Sequence, residues 1–124
     1  MSTQCPHHPI VLIVEDEWLL RAHARDVLEN AGFDALEAAD ADEALRVLAE
    51  HPEVNALFTD INLPGTLDGL QLARKVYQSR PDIRLLITSG KIAPGKGQIP
   101  HEGIFLPKPY SPDAVVRSLS NLLH

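Results

Sequence analysis

Charged side chains that could bind a metal and a phosphate stand directly after short apolar segments of this sequence. Glu15, Asp16 and Glu17 follow the run IVLIV, Asp60 follows VNALFT, and Lys108 comes after a third such run. Clustered carboxylates repel one another unless a cation lies among them, and oxygen ligands favour a hard divalent ion. Because Mg²⁺ binds through one or two carboxylates together with a phosphate, these residues indicate a site for magnesium and a phosphoryl group.

Two kinds of polar side chain could hold the phosphoryl oxygens. The Lys108 ammonium would contact one oxygen as a point charge. The hydroxyl of Ser89 or of Thr88, at the end of another apolar run, would donate a hydrogen bond to a second oxygen. The choice between the two hydroxyls stays open at this point.

The apolar patterns predict the elements that must bring these groups together. Continuous or β-branched runs predict five strands, at Ile10–Val14, Phe33–Ala38, Val54–Thr59, Ile83–Thr88 and Ile104–Leu106. Helical periodicity predicts helices at about residues 18–31, from a cap at Asp40 or Asp42 to His51-Pro52, at Gly69–Ser79, and from Ser111 to about Leu123.

Strands that alternate with helices predict an α/β fold with a parallel sheet covered on both faces. The expected architecture is a doubly wound five-stranded sheet with strand order 2-1-3-4-5. Ligands of such sheets bind at the carboxyl ends of the strands, where the winding reverses. The charged residues that follow the strands should therefore meet at one edge of the sheet.

Composition narrows the class of protein. The chain has 124 residues, enough for one domain, and a net charge of −6 that disfavours direct binding to nucleic acid. The single cysteine, Cys5, has no partner for an internal disulfide, and no apolar run is long enough to span a membrane. Residues 1–9 carry no secretory signal and are expected to be a disordered lead-in. We expect a cytoplasmic protein.

Four short motifs carry a resemblance to a known family. They are VEDE at Val14–Glu17, TDINLPG at Thr59–Gly65, the pair Ser89-Gly90, and LPKPY at Leu106–Tyr110. Together they resemble the receiver domains of two-component response regulators, which have a flavodoxin-like fold. The resemblance covers residues 10–124, so it implies a receiver domain over that range.

The resemblance implies a role for each site residue. By carry-over Asp60 is the phosphoacceptor and Lys108 neutralises the phosphate. The implied Mg²⁺ ligands are Asp16 and Asp60 directly, Asn62 through its backbone carbonyl, and Glu15 through water. Ser89 and Phe105 would be the switch pair, with Ser89 preferred to Thr88 because Gly90 leaves room for its hydroxyl to move. The Lys108-Pro109 peptide bond is a candidate cis bond.

The same resemblance implies the partners. A histidine kinase or a histidine phosphotransfer protein would donate the phosphoryl group from a phosphohistidine, and the only expected chemistry is self-phosphorylation and self-dephosphorylation. Because the sequence stops after the last helix, we expect a stand-alone receiver that signals by binding a downstream protein. Trp18 beside the acidic cluster would be either a lid over the site or part of a docking surface.

Two features depart from the family pattern. Gly69 follows Asp60 by nine positions, one more than in most receivers, which leaves an extra residue within Gly65–Asp68. The segment Gly90–Gly103 is rich in glycine and proline where receivers have their fourth helix. We expect that helix to be reduced or absent, with a mobile loop in its place.

Two other functions fit parts of the pattern. The chain could be a receiver-like interaction module that no kinase phosphorylates, or a small Mg²⁺-dependent phosphatase with Asp60 as its nucleophile. Phosphatases of the haloacid dehalogenase type carry an Asp-x-Asp pair after the first strand, and Glu15-Asp16-Glu17 lacks the first aspartate. Glu17 and Asp68 also have a simpler interpretation, as helix caps or solvated residues.

Overall fold

Strands and helices alternate along the chain, as the periodicity predicts. The computed structural model describes residues 8–90, 99–100 and 103–123. In chain order the elements are β1 (Ile10–Val14), α1 (Trp18–Asn30), β2 (Asp34–Ala38), α2 (Ala41–Glu50), β3 (Ala56–Asp60), α3 (Gly69–Ser79), β4 (Arg84–Ser89), β5 (Ile104–Pro107) and α4 (Pro112–Leu122).

All five strands form one parallel sheet. Its order is β2-β1-β3-β4-β5, which confirms the predicted doubly wound topology. β1 pairs with β2 on one side and with β3 on the other, so the winding reverses at β1. The crevice predicted for a ligand therefore lies at the carboxyl ends of β1 and β3.

The hydrophobic core lies in two layers, one on each face of the sheet. Leu12, Val14 and Leu57 belong to the layer that includes side chains of α2 and α3. Ile13 and Phe58, their chain neighbours, belong to the layer that includes side chains of α1 and α4. Because alternate residues of β1 enter opposite layers, this strand is apolar throughout, as a central parallel strand must be.

Side-chain caps set where three helices begin. Asp40 accepts a hydrogen bond from the Glu43 N–H, which decides between the two predicted caps of α2. Asp68 and Gln71 form a reciprocal capping box at α3, and Ser111 caps α4. Each cap satisfies backbone N–H groups that the first turn of a helix leaves unpaired. Asp68 is thus a structural residue, in agreement with its simpler interpretation.

Three strands end later than the sequence predicts. β3 continues to Asp60, β4 to Ser89 and β5 to Pro107, whereas each predicted strand ends one residue earlier. The parallel pairing extends to Asp60 and Thr88, and the Ile61 N–H donates a hydrogen bond to the Thr88 carbonyl. Asp60 is consequently held by the sheet and not by a loop, because backbone pairing continues past the apolar residues.

Two sequence predictions lie mostly outside the described residues. The disordered lead-in falls largely on residues 1–7, and the reduced helix with its mobile loop largely on 91–98 and 101–102. The described part of the chain contains four helices, and none of these is long and apolar enough to cross a bilayer.

A close backbone contact fixes α3 against β3. Gly69, the first residue of α3, donates its N–H to the Ile61 carbonyl at 2.8 Å. A Cβ at Gly69 would collide with the carbonyl oxygen of Asp60 and lie 2.8 Å from the Ile61 Cα. Only glycine permits this approach, so the start of α3 lies directly against the end of β3.

We predict that Gly69→Ala destabilises the protein by about 3 kcal/mol or more, because backbone atoms must move to relieve the collision. Gly32→Ala is the matched control. Gly32 has a φ of 94° but open space around its Cβ position, so alanine there should cost only the backbone strain, about 1–2 kcal/mol. Urea denaturation of both variants measures the difference, and equal losses would contradict the steric argument.

Candidate functional site

The candidate site is centred on one ammonium group between two carboxylates. The Lys108 Nζ lies 2.8 Å from Asp60 Oδ2 and 3.3 Å from Glu15 Oε1. β3 carries Asp60, while Glu15 follows β1 and Lys108 follows β5. Both carboxylate residues are buried, with 6% and 7% of their surface exposed, so the attraction acts in surroundings of low polarity.

The proton affinities of these groups reflect their surroundings. Burial raises the pKa of Glu15, and the Asp60 carboxylate adds to the rise, against a hydrogen bond from the Glu17 N–H and the charge of Lys108. Burial lowers the pKa of Lys108, but the hydrogen bond and charge of Asp60, together with Glu15, outweigh it and leave the pKa above its ordinary value. Lys108 therefore stays charged at neutral pH.

The loop after β3 contacts the other oxygen of Asp60. The Asn62 N–H donates to Asp60 Oδ1 at 3.1 Å, and the Asn62 side-chain amide donates to Ser89 Oγ at 3.3 Å. Farther along this loop, Gly65 has a φ of 97°, a conformation that glycine adopts without strain. The loop therefore contacts Asp60 directly through Asn62 and turns farther along, at Gly65.

The two candidate hydroxyls lie on opposite faces of β4. Thr88 pairs with Asp60 across the sheet and lines a small cavity of about 10 Å³ together with Asp60 and Glu15. Its Oγ1 is buried and has no hydrogen-bond partner within the described residues. Ser89 follows Thr88 in the strand, so its side chain points to the other face, where its hydroxyl accepts from Asn62.

Phe105 shares a face of the sheet with Ser89 and not with Thr88. It pairs with Ile87 across the sheet and packs, half-buried, against the core layer of α2 and α3. After β5 the Lys108-Pro109 peptide bond is cis. The next residue, Tyr110, packs edge to face on Phe58 with the ring centroids 5.8 Å apart, in the layer of α1 and α4.

The oxygen donors at this edge of the sheet suit a hard cation. Asp16 is exposed and follows Glu15 directly in the chain, whereas Glu15 and Asp60 are buried. Nowhere in the described ranges are three or more His, Cys, Asp or Glu side chains gathered as a metal centre. A small set of carboxylate oxygens matches the way Mg²⁺ binds, through few protein ligands and several waters.

Two further features of the site are not predicted by the sequence. Arg21 of α1 donates a hydrogen bond from Nη1 to the backbone carbonyl of Glu15 at 2.7 Å. In the sequence it is one of several charged residues on an amphipathic helix, with nothing to distinguish it from a solvated one. Leu20 is the second feature, because it is 45% exposed and continues the exposed surface of Trp18 and Leu19. Its spacing of four and eight residues from Ala24 and Leu28 would predict a core residue instead.

Comparison with known proteins gives one consistent family. The family model for the response regulator receiver domain matches residues 11–120. The aerobic respiration control protein ArcA of Escherichia coli K12 is 38% identical over 88 residues, which cover 71% of this chain and 34% of ArcA. The sensor kinase CckA of Brucella abortus is 32% identical over 117 residues, which cover 91% of this chain and 12% of CckA.

Solved structures agree in fold. The crystal structure of a response regulator receiver protein from Sinorhizobium medicae has a TM-score of 0.85 and 26% identity, and the match covers 94% of this chain and 95% of that one. The chain spans about a third of the length of ArcA. Since the family model covers almost all of the sheet and its helices, the chain belongs to the response regulator receiver domain family.

Proposed function

We propose that this chain accepts a phosphoryl group on Asp60 from the phosphohistidine of a histidine kinase or a histidine phosphotransfer protein. The observation that carries the proposal is the contact of Lys108 with both Asp60 and Glu15. As a receiver domain the chain is a signalling module, and its phosphorylated form would act by binding a downstream protein. We place this exchange in the cytoplasm, because a lone cysteine forms no internal disulfide that an oxidising compartment would favour.

The transfer step follows from the chemistry of the groups present. A carboxylate oxygen of Asp60 attacks phosphorus, the P–N bond of the phosphohistidine breaks, and the imidazole leaves with the electron pair and takes up a proton. The product is an acyl phosphate on Asp60. Lys108 already contacts Asp60 Oδ2, so its positive charge can stabilise the oxygens of the incoming group.

Magnesium is the cofactor that the donor set fits. We propose that Asp16 and Asp60 bind it directly, that Asn62 contributes its backbone carbonyl, and that Glu15 acts through water. A bound Mg²⁺ would offset the negative charge that phosphate brings to a site already holding the carboxylates of Glu15 and Asp60.

Thr88 is, in this proposal, the hydroxyl that binds the phosphoryl group. Its unpartnered Oγ1 lies in the same cavity as Asp60 and would gain a hydrogen bond. Ser89, which the sequence favours, lies on the other face of β4 and contacts Asn62. A movement of the Ser89 side chain towards Asp60 would break that contact. We therefore propose that Thr88 moves first, and that Ser89 and Phe105 then rearrange on the face of the sheet that they share.

The exposed apolar residues at the start of α1 fit the docking of a phosphodonor protein. Trp18, Leu19 and Leu20 are 69%, 64% and 45% exposed, and they begin three residues after Glu15. A donor protein must cover these three residues to bring its histidine to Asp60, and burying large apolar side chains stabilises such a complex. We therefore assign Trp18 to a docking surface and not to a lid.

We predict that phosphorylation requires both Asp60 and a divalent cation. With acetyl phosphate and Mg²⁺, intact mass and peptide mapping should find one phosphate on Asp60, and none in Asp60→Asn or in excess EDTA. Lys108→Ala should still bind Mg²⁺ but lose at least tenfold in phosphorylation rate, because the ammonium no longer stabilises the transferred oxygens.

Asp82→Asn is the control for that experiment. Asp82 forms an exposed ion pair with Arg80 far from the site, so this variant should be labelled like the wild type. Labelling of Asp60→Asn at the normal rate would refute the assignment of Asp60. An unlabelled wild-type protein would favour the interaction module, and steady hydrolysis of a generic phosphate ester would favour the phosphatase.

The two hydroxyls can be separated by near-isosteric variants. We predict that Thr88→Val weakens binding of beryllofluoride, an analogue of the phosphoryl group, at least fivefold, because a hydrogen bond to a charged group is lost. Ser89→Ala should change this affinity less than twofold. Titration in the presence of Mg²⁺ measures both affinities. The opposite ranking would restore Ser89 as the phosphate-binding hydroxyl.

The docking surface predicts a difference between protein and small-molecule donors. Trp18→Ala should slow phosphorylation by a cognate kinase at least tenfold. It should leave the rate with acetyl phosphate within twofold of the wild-type rate, because only the protein donor contacts the docking surface. Tyr77→Ala is the control, since Tyr77 is also a large exposed side chain but lies near the far end of α3. Equal slowing with both donors would show that Trp18 acts on the chemistry instead.

A further inference from the structure

Arg21 joins α1 to the turn that carries the acidic residues. Its Nη1 donates to the carbonyl oxygen of Glu15 at 2.7 Å, and its Nε donates to Glu37 Oε1 at 2.9 Å. One guanidinium therefore holds a backbone atom of the site and a side chain of β2 at the same time. The side chain of Arg21 is only 19% exposed, so solvent competes weakly for these bonds.

Arg21 shares the carboxylate of Glu37 with a second arginine, and each arginine bonds a different oxygen. Glu37 accepts a second hydrogen bond, at its Oε2, from Arg25 Nη1 at 2.7 Å. Arg25 in turn pairs with Glu29 one turn along α1. The hydrogen bond from Arg25, with a second from Arg21, holds the pKa of Glu37 below its ordinary value, so Glu37 stays ionised and its carboxylate fixed.

The Glu15 carbonyl matters because of the peptide unit to which it belongs. This oxygen lies in the rigid plane that joins Glu15 to Asp16, so fixing it orients the backbone of both residues. The preceding peptide unit, between Val14 and Glu15, is held by the sheet, because the Glu15 N–H donates to the Ala38 carbonyl at 3.1 Å. The sheet thus holds one end of the turn, and Arg21 holds the peptide from which the Asp16 carboxylate projects.

We propose that Arg21 is a positioning residue for the magnesium site. It sets the orientation of the Glu15–Asp16 peptide and, through it, of the two carboxylates that this turn contributes. The inference rests on the proposed function in one respect, the assignment of these carboxylates to Mg²⁺. Bonding the Glu15 carbonyl and Glu37 at the same time needs a guanidinium, because the single ammonium of lysine does not present two fixed, diverging donors.

The test compares Arg21→Ala and Arg21→Lys with Arg25→Ala. Arg25 shares Glu37 with Arg21 and lies on the same helix, but it bonds to Glu37 and Glu29 and not to the turn, so its removal leaves both bonds of Arg21 in place. Trp18, the single tryptophan, lies two residues after Asp16, so its fluorescence can report Mg²⁺ binding. Phosphorylation by acetyl phosphate is measured over a range of Mg²⁺ concentrations.

We expect both Arg21 variants to raise the Kd for Mg²⁺ at least fivefold and to keep the maximal phosphorylation rate at saturating Mg²⁺ within twofold. Arg25→Ala should change the Kd less than twofold. A wild-type Kd in Arg21→Ala would overturn the proposal. Equal weakening in Arg25→Ala would also overturn it, because the effect would then come from general loosening of α1.

Amide exchange in the metal-free protein gives a readout independent of magnesium. Arg21→Ala should speed exchange of the Glu17 N–H, which lies within the turn, at least fivefold relative to amides of β3, whereas Arg25→Ala should not. If the wild-type protein binds no Mg²⁺, the magnesium assignment fails, and exchange alone decides whether Arg21 positions the turn. Unchanged exchange in Arg21→Ala would refute the positioning role even then.

Discussion

The rest of the site depends on the electrostatic balance between Lys108 and two buried carboxylates. A parallel sheet brings the ends of its strands to one edge, and in this chain β1 and β3 are both followed or ended by acidic residues. Glu15 and Asp60 would repel each other there without a cation. The ammonium of Lys108, which follows β5, lies within 3.3 Å of both carboxylates. The Lys108 ammonium thus links the ends of β1, β3 and β5 by electrostatic attraction, at the edge of the sheet where we propose phosphoryl transfer.

That balance supports the proposal that a phosphoryl group on Asp60 would change the structure. Lys108 is shared between Glu15 and Asp60, so a phosphoryl group on Asp60 would compete with Glu15 for the same ammonium. Thr88 lies beside Asp60 with an unpartnered hydroxyl, and the neighbouring residue Ser89 lies on the face that carries Phe105. A small shift of β4 towards the phosphate therefore reaches both faces of the sheet.

The precision of the site comes from backbone contacts as much as from its charged groups. Gly69 brings α3 against the Asp60 carbonyl, and Arg21 holds the carbonyl of Glu15 from α1. Both contacts join the start of a helix to the end of a strand. They keep the acidic residues in place although like charges favour their separation, and neither depends on a residue with an evident chemical role.

Much of this protein could be predicted from its sequence, because apolar periodicity and motif residues are local signals. The run IVLIV predicts a central strand, the order of elements predicts the sheet, and the motifs around Asp60 and Lys108 indicate the receiver family. The predicted strand ends are less accurate, since backbone pairing carries β3, β4 and β5 one residue beyond their apolar runs. The tertiary structure alone decided the rest: that Thr88 and not Ser89 faces Asp60, that Lys108 contacts Glu15, and that Arg21 bonds to the Glu15 carbonyl. These contacts join residues distant in sequence or depend on strand register, and a local pattern carries no information about which atoms then come within hydrogen-bonding distance.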